Sequence, residues 1–148
     1  MAASGAGYSG TPLPKKLGLK EGGTMVLLNA PIGIEQWLVP LPAGASLKSK
    51  LSGNDALVVL FCKDVATLKK SLPTVSEKLP SNGSLWISWP KKSSPLFVDL
   101  TEDGIRALVL PTGLVDVKVC AVNDDWSGLK LMVRKEKRES WNHERIQG

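Results

Sequence analysis

The stretch VLLNAPIGIEQWL, Val26 to Leu38, reads as an apolar strand, a tight turn and then a helix. The strand begins at Thr24, and its apolar residues run without alternation, as in a central parallel strand covered on both faces. Where such a strand turns into a helix, glycines let a ligand approach the backbone and its N–H groups. Here Asn29, Ala30, Pro31 and Ile32 stand where most of those glycines would be, and only Gly33 remains. The turn is kept, and the crevice above it is expected to be filled.

Upstream, TPLPKKLG over residues 11–18 predicts a short helix ending at Gly18, and Gly22-Gly23 a turn. Downstream, the short helix after Gly33 is stopped by Pro40 and Pro42, and residues 45–48 read as a brief strand. ALVVLFC, residues 56–62, is the strongest strand of the chain and is apolar on both faces. Asp64 then caps a helix whose apolar positions Val65, Leu68, Leu72, Val75 and Leu79 recur every three or four residues. Pro73 falls inside it. An interior proline costs about 3 kcal/mol, so a kink or two short helices are expected.

Ser81-Asn82-Gly83 turns into LWISW, a third strand. Thr101 caps a helix running to about Leu110, with Glu102 and Asp103 at the positive end of its dipole. In VDVKVCAV, residues 115–122, Val115, Val117, Val119 and Ala121 line one face, with Asp116 and Lys118 on the other. In LKLMVR, residues 129–134, Leu129, Leu131 and Val133 alternate with Lys130, Met132 and Arg134. A loop from Asn123 to Gly128 joins the two as a hairpin.

This order, β-α-β-β-α-β-α-β-β, with right-handed crossovers, gives an α/β fold. It is an open three-layer α/β/α sheet, mostly parallel with a C-terminal antiparallel hairpin. At 148 residues one domain suffices, and 43% apolar with 22% charged residues is ordinary globular composition. Residues 1–11 are expected to be a flexible N-terminal segment that Tyr8 could anchor, residues 12–135 a single α/β domain, and residues 136–148 a polar tail. No apolar run is long enough for a secretory signal or a membrane span, so a cytoplasmic protein is expected.

The order resembles that of class I S-adenosylmethionine-dependent methyltransferases, whose Rossmann-like sheets also finish in a helix and an antiparallel hairpin. The chain would be a shortened version lacking one early strand–helix unit. GYSGTPL at residues 7–13, WPK at 89–91, DLTED at 99–103, GLVDVKVCAV at 113–122 and WSGL at 126–129 also resemble a small bacterial family of unknown function. That family implies no activity. The methyltransferase resemblance implies glycines after the first strand and an acid after the second, which holds the cofactor's ribose hydroxyls. Only Gly33 answers the first need, and the second strand ends in Lys48-Ser49-Lys50. No cofactor is therefore expected, with S-adenosylmethionine as the alternative.

In open α/β sheets ligands sit beyond the carboxyl ends of the strands. That rule selects Asn29, Pro31 and Gly33 after the first strand, residues 62–64 after the third, and Trp89, Lys91 and Lys92 after the fourth. Lys91 and Lys92 are expected beside the helix that begins near Gly33, where a phosphate or an acidic peptide would dock; a solvated basic loop is the plainer alternative. Trp89 either lines a cleft or packs in the core. Trp126, in its loop, either covers the sheet end or anchors a partner.

Cys62 and Cys120 lie in apolar stretches without CxxC or Cys/His spacing, so buried thiols and no metal site are expected, while the strand order implied by the methyltransferase resemblance puts other strands between them and allows no disulfide. Cys62 next to Lys63 is the one candidate nucleophile, and an inert packed thiol the plainer reading. The single histidine, His143, lies in the tail, and no pair of carboxylates is spaced for acid–base work.

Three readings follow, in order of preference. The first is a non-catalytic binding or interaction module on a methyltransferase-like fold, taking an anionic ligand or a protein partner. The second is a methyltransferase with a divergent pocket, using Trp89 and Asp99 to position substrate. The third is nucleic-acid binding through the lysine pairs and the tail. The net charge of +5 permits this last reading, but no helix-turn-helix or aromatic-basic signature supports it.

Overall fold

An unbroken, fully buried apolar run over residues 57–61 stands at the middle of the sheet, and the rest of the fold is arranged around it in a computed structural model that describes residues 11–141. The strands are β1 (Thr24–Leu28), β2 (Ser46–Lys48), β3 (Leu57–Phe61), β4 (Ser84–Pro90), β5 (Leu114–Ala121) and β6 (Trp126–Val133). The helices are α1 (Leu13–Leu17), α2 (Ile34–Trp37), α3 (Val65–Lys78) and α4 (Glu102–Val109). One sheet runs β2-β1-β3-β4-β6-β5, parallel from β2 to β4, with β6 inserted antiparallel between β4 and β5.

The two faces bury separate cores. Val58, Leu60, Leu85 and Ile87 of the sheet pack against Leu68, Leu72 and Val75 of α3 and Ile105 and Val109 of α4. On the other face Met25, Val59, Phe61 and Trp86 pack against Leu17 of α1 and Ile34 of α2. The arrangement is the three-layer α/β/α sheet expected from the element order. Among the described residues no helix is long and apolar enough to cross a membrane.

Four local expectations need correction. The helix containing Pro73 is one 14-residue element, α3, and not two short helices. Leu68, Leu72 and Val75 are buried on one side of it, each contributing about 1.5–3 kcal/mol, which together outweighs the proline. In β5 the valine face is not buried. A bulge between Asp116 and Lys118 takes Val117 out of the ladder, and Val117 and Val119 stay 50% and 43% exposed on the sheet edge. The hairpin loop is shorter than expected, because β6 already starts at Trp126 and Gly128 pairs with Ser88.

The polar tail is not wholly solvated either. Residues 135–141 turn back onto the domain, where the indole N–H of Trp141 donates to the Leu79 carbonyl at 2.7 Å. The flexible segment expected at residues 1–10, with Tyr8, and the tail histidine His143 lie outside the described residues.

Candidate functional site

Chain order reverses between β1 and β3, since β2 lies on one side of β1 and β3 on the other. A sheet opens a crevice at such a point, beyond the carboxyl ends of its strands. A cleft of about 510 Å³ occupies that position, lined by Asn29 and Pro31 after β1, Phe61 and Lys63 from the end of β3, Thr67, Lys70 and Ser71 on α3, and Trp126. This corrects the expectation that stiff side chains close the crevice, since clefts of about 300–1,000 Å³ serve small ligands. Asn29 adopts the left-handed backbone (φ 59°) that a glycine would otherwise supply, and Gly33 does the same (φ 85°). The turn therefore bends outward, and Ile32, its bulkiest residue, projects fully into solvent at 103% exposure.

The inner wall is aromatic. Phe61 and Trp126 meet edge-to-face with ring centroids 5.6 Å apart, and Trp37 packs on both at 6.3 Å. Trp126 is only 8% exposed, so it is no projecting anchor; it seals the sheet end and presents one side to the cleft.

The opposite wall is the first two turns of α3. Thr67, Lys70 and Ser71, spaced three and four residues apart, share one helix face, and Lys63 stands just before the helix. Among the described residues no carboxylate lines the cleft. Among the described residues neither Lys63 nor Lys70 makes an ion pair.

The acids nearest in sequence are committed elsewhere. Asp64 accepts from the Thr67 backbone N–H at 2.8 Å and its hydroxyl at 2.6 Å, bonds that hold its carboxyl below the usual range. Asp99 reaches across 34 residues to accept from the Val65 N–H at 2.9 Å and so caps α3. Beyond β2, Asp55 pairs with Lys48 at 2.6 Å and accepts from the Ser52 N–H and hydroxyl. Asp55 precedes β3 at its amino end and lines neither cleft.

Cys62 is fully buried beside Asp64, and burial first, then that carboxylate, push its thiol up to about 12, in keeping with a packed, inert thiol. Cys120 lies on β5 with β4 and β6 in between, and both thiols are free.

A second cleft of about 460 Å³ holds Trp89, Lys91 and Lys92 with Thr101, Glu102, Asp103 and Ser127. The lysines therefore face the start of α4, not the helix after Gly33. The reason is the sheet order, in which β4 is two strands away from β1. Trp89 is 5% exposed and belongs to the core under α3 and α4. With two lysines facing two carboxylates, this cleft has no net preference for anions. Of the expected site residues, Asn29, Pro31 and Trp126 meet in the first cleft, Trp89, Lys91 and Lys92 in the second, and Gly33 lines neither. Sequence reasoning missed the α3 wall, whose only signal was the spacing of Lys63, Thr67, Lys70 and Ser71.

The chain is similar to a structure described as a type 11 methyltransferase from Sulfolobus solfataricus, at 15% identity, covering 83% of this chain and 90% of that one with a TM-score of 0.49. It is also similar to a SAM-dependent methyltransferase structure from Aquifex aeolicus, at 13% identity, covering 82% of this chain and 87% of that one with a TM-score of 0.42. No family model matches the chain, and no curated protein does. The sheet order, with its antiparallel strand inserted next to the edge, carries the assignment. The fold is methyltransferase-like. Its helices cover both faces in the Rossmann manner, and the first cleft lies where such a sheet opens.

Proposed function

We propose that this methyltransferase-like chain is a non-catalytic binding module whose switch-point cleft takes a small anion-bearing ligand in place of S-adenosylmethionine. One observation carries the reading: among the described residues the cleft is lined by two lysines outside any ion pair and by no carboxylate. S-adenosylmethionine brings a sulfonium and an ammonium against a single carboxylate, so its net charge is opposed by Lys63 and Lys70. A lysine at a cleft mouth favours anions.

The absence of a competent acid, base or nucleophile along the cleft supports binding over catalysis. Cys62 is buried with a raised pKa, and Asp64 and Asp99 cap a helix. Two unpaired thiols are in keeping with work in the reducing cytoplasm.

Calorimetric titration of the full chain with S-adenosylmethionine and, separately, with pyrophosphate tests this. Pyrophosphate is expected to bind and S-adenosylmethionine to give no heat up to millimolar concentration. Micromolar binding of S-adenosylmethionine would restore the methyltransferase reading.

A further inference from the structure

The first cleft is divided by chemistry. Pro31, Phe61 and Trp126 form an apolar, largely aromatic side, and α3 with Lys63 forms a cationic and hydroxylic side. We infer that the ligand is a free nucleoside phosphate, with its ring against the aromatic side and its phosphate held by Lys63, Lys70 and Ser71. The inference rests on the reading of the cleft as an anion site and adds the other half of the ligand.

A bare phosphate or pyrophosphate would engage only the α3 side and leave the apolar side against water. A purely apolar ligand would give neither ammonium group an ion-pair partner. A ligand that uses both walls needs a planar apolar end and an anionic end separated by a few ångströms. A nucleotide has that shape, with a sugar as the spacer. A volume of about 510 Å³ accommodates one such unit but not a run of several.

The route by which the phosphate is held follows from what is already occupied. At the start of α3, Asp99 takes the Val65 N–H and Asp64 takes that of Thr67, so carboxylates already sit on the end of the helix that commonly receives phosphate. The Thr67 hydroxyl proton is also directed to Asp64. The remaining donors on this wall are the ammonium groups of Lys63 and Lys70 and the hydroxyl of Ser71, which together bind through side chains alone. On the turn after β1, the Asn29 side chain forms no hydrogen bond among the described residues and lines the same cleft. Its amide offers both a donor and an acceptor to the edge of a base or to a ribose hydroxyl.

Trp126 is a built-in reporter, because a ring stacked beside it alters its emission. The full chain is titrated with ADP, adenosine, pyrophosphate, S-adenosylmethionine and a 5′-phosphorylated hexadeoxyadenylate, following tryptophan fluorescence and calorimetry. ADP is expected to bind at least tenfold more tightly than either adenosine or pyrophosphate and to change the fluorescence, which pyrophosphate does not. Lys63→Ala with Lys70→Ala, both at exposed positions, is expected to weaken ADP at least tenfold and leave adenosine unchanged.

Equal affinity for ADP and pyrophosphate would overturn the nucleoside half while leaving the anion site standing. Binding of S-adenosylmethionine would overturn the underlying reading instead. A hexanucleotide held more than tenfold more tightly than ADP would make the source a nucleic-acid strand and overturn the free nucleotide, and absence of ADP binding at millimolar concentration would overturn the inference outright.

Discussion

The indole N–H of Trp86 donates to the backbone carbonyl of Leu17 at 2.8 Å, across 69 residues of chain and wholly within the core. This bond ties the short helix α1 to the middle of the sheet, where Trp86 pairs with Val59 on one side and Lys130 on the other. A five-residue helix has too few internal hydrogen bonds to persist alone, so its place depends on this bond and on the burial of Leu17. Trp86→Phe leaves a buried carbonyl without its donor and opens space beside Gly128, whose Cα hydrogens face the indole. The expected loss is about 2–3 kcal/mol, read as a lower urea midpoint with an unchanged slope.

Thiol chemistry separates the two cysteines. Burial together with Asp64 raises the Cys62 thiol to about 12, whereas Cys120 is also raised by burial but is partly opposed by Lys16 and Lys118. With a thiol-specific reagent at pH 8, Cys62 is expected to react only on global unfolding. Cys120, half-buried near the exposed edge, is expected to react first. Labelling of Cys62 in native buffer as fast as Cys120 would contradict the packing described for β3.

How far the architecture could be read in advance depended on what set each element. Strands β1, β3 and β4 are bounded by their own apolar runs, and Asp64 and Thr101 each cap a helix through a local side-chain bond. Signals of that kind lie within a few residues and were legible. The β5 bulge, the early start of β6 at Trp126 and the docking of Trp141 depend on partners far away in sequence, and no local pattern announces them.

The open cleft is hidden from the sequence for a similar reason. Counting glycines in the turn treats every side chain as filling space inside, but the left-handed backbone at Asn29 turns Ile32 outward. The α3 wall was present in the sequence as a four-residue spacing, yet its meaning required knowing that Pro31 and Trp126 stand opposite.

The segment beyond β6 contributes to stability. The Trp141 ring lies against Gly113, where a Cβ would stand 3.2 Å from the indole and 3.1 Å from the Lys137 chain, on a backbone with φ of 101°. Gly113→Ala therefore suffers both an unfavourable backbone and a contact, and is expected to cost about 1–3 kcal/mol. Trp141→Ala removes the bond to Leu79 and the cover over the end of α3, and a loss of similar size is expected. If thermal unfolding of Trp141→Ala matches the wild type, the segment is not part of the cooperative unit.

The Asp55–Lys48 pair gives stability a defined pH dependence. Burial alone would raise the Asp55 carboxyl, but the bonds from Lys48 and Ser52 outweigh it and bring it below its ordinary value. A carboxyl lowered on folding stabilises at pH values above its unfolded pKa of about 3.9, and that contribution fades as the pH falls through the folded value. Asp55→Asn keeps the shape but leaves Lys48 without a counter-charge, and is expected to lower stability by about 2 kcal/mol at pH 7. Urea unfolding of both proteins across pH 7 to 3 should show a constant gap down to about pH 5, narrowing as the wild-type carboxyl takes its proton. A gap that stays constant to pH 3 would mean that the charge on Asp55 does nothing for the fold, leaving that carboxylate without its assigned role of holding the end of β2.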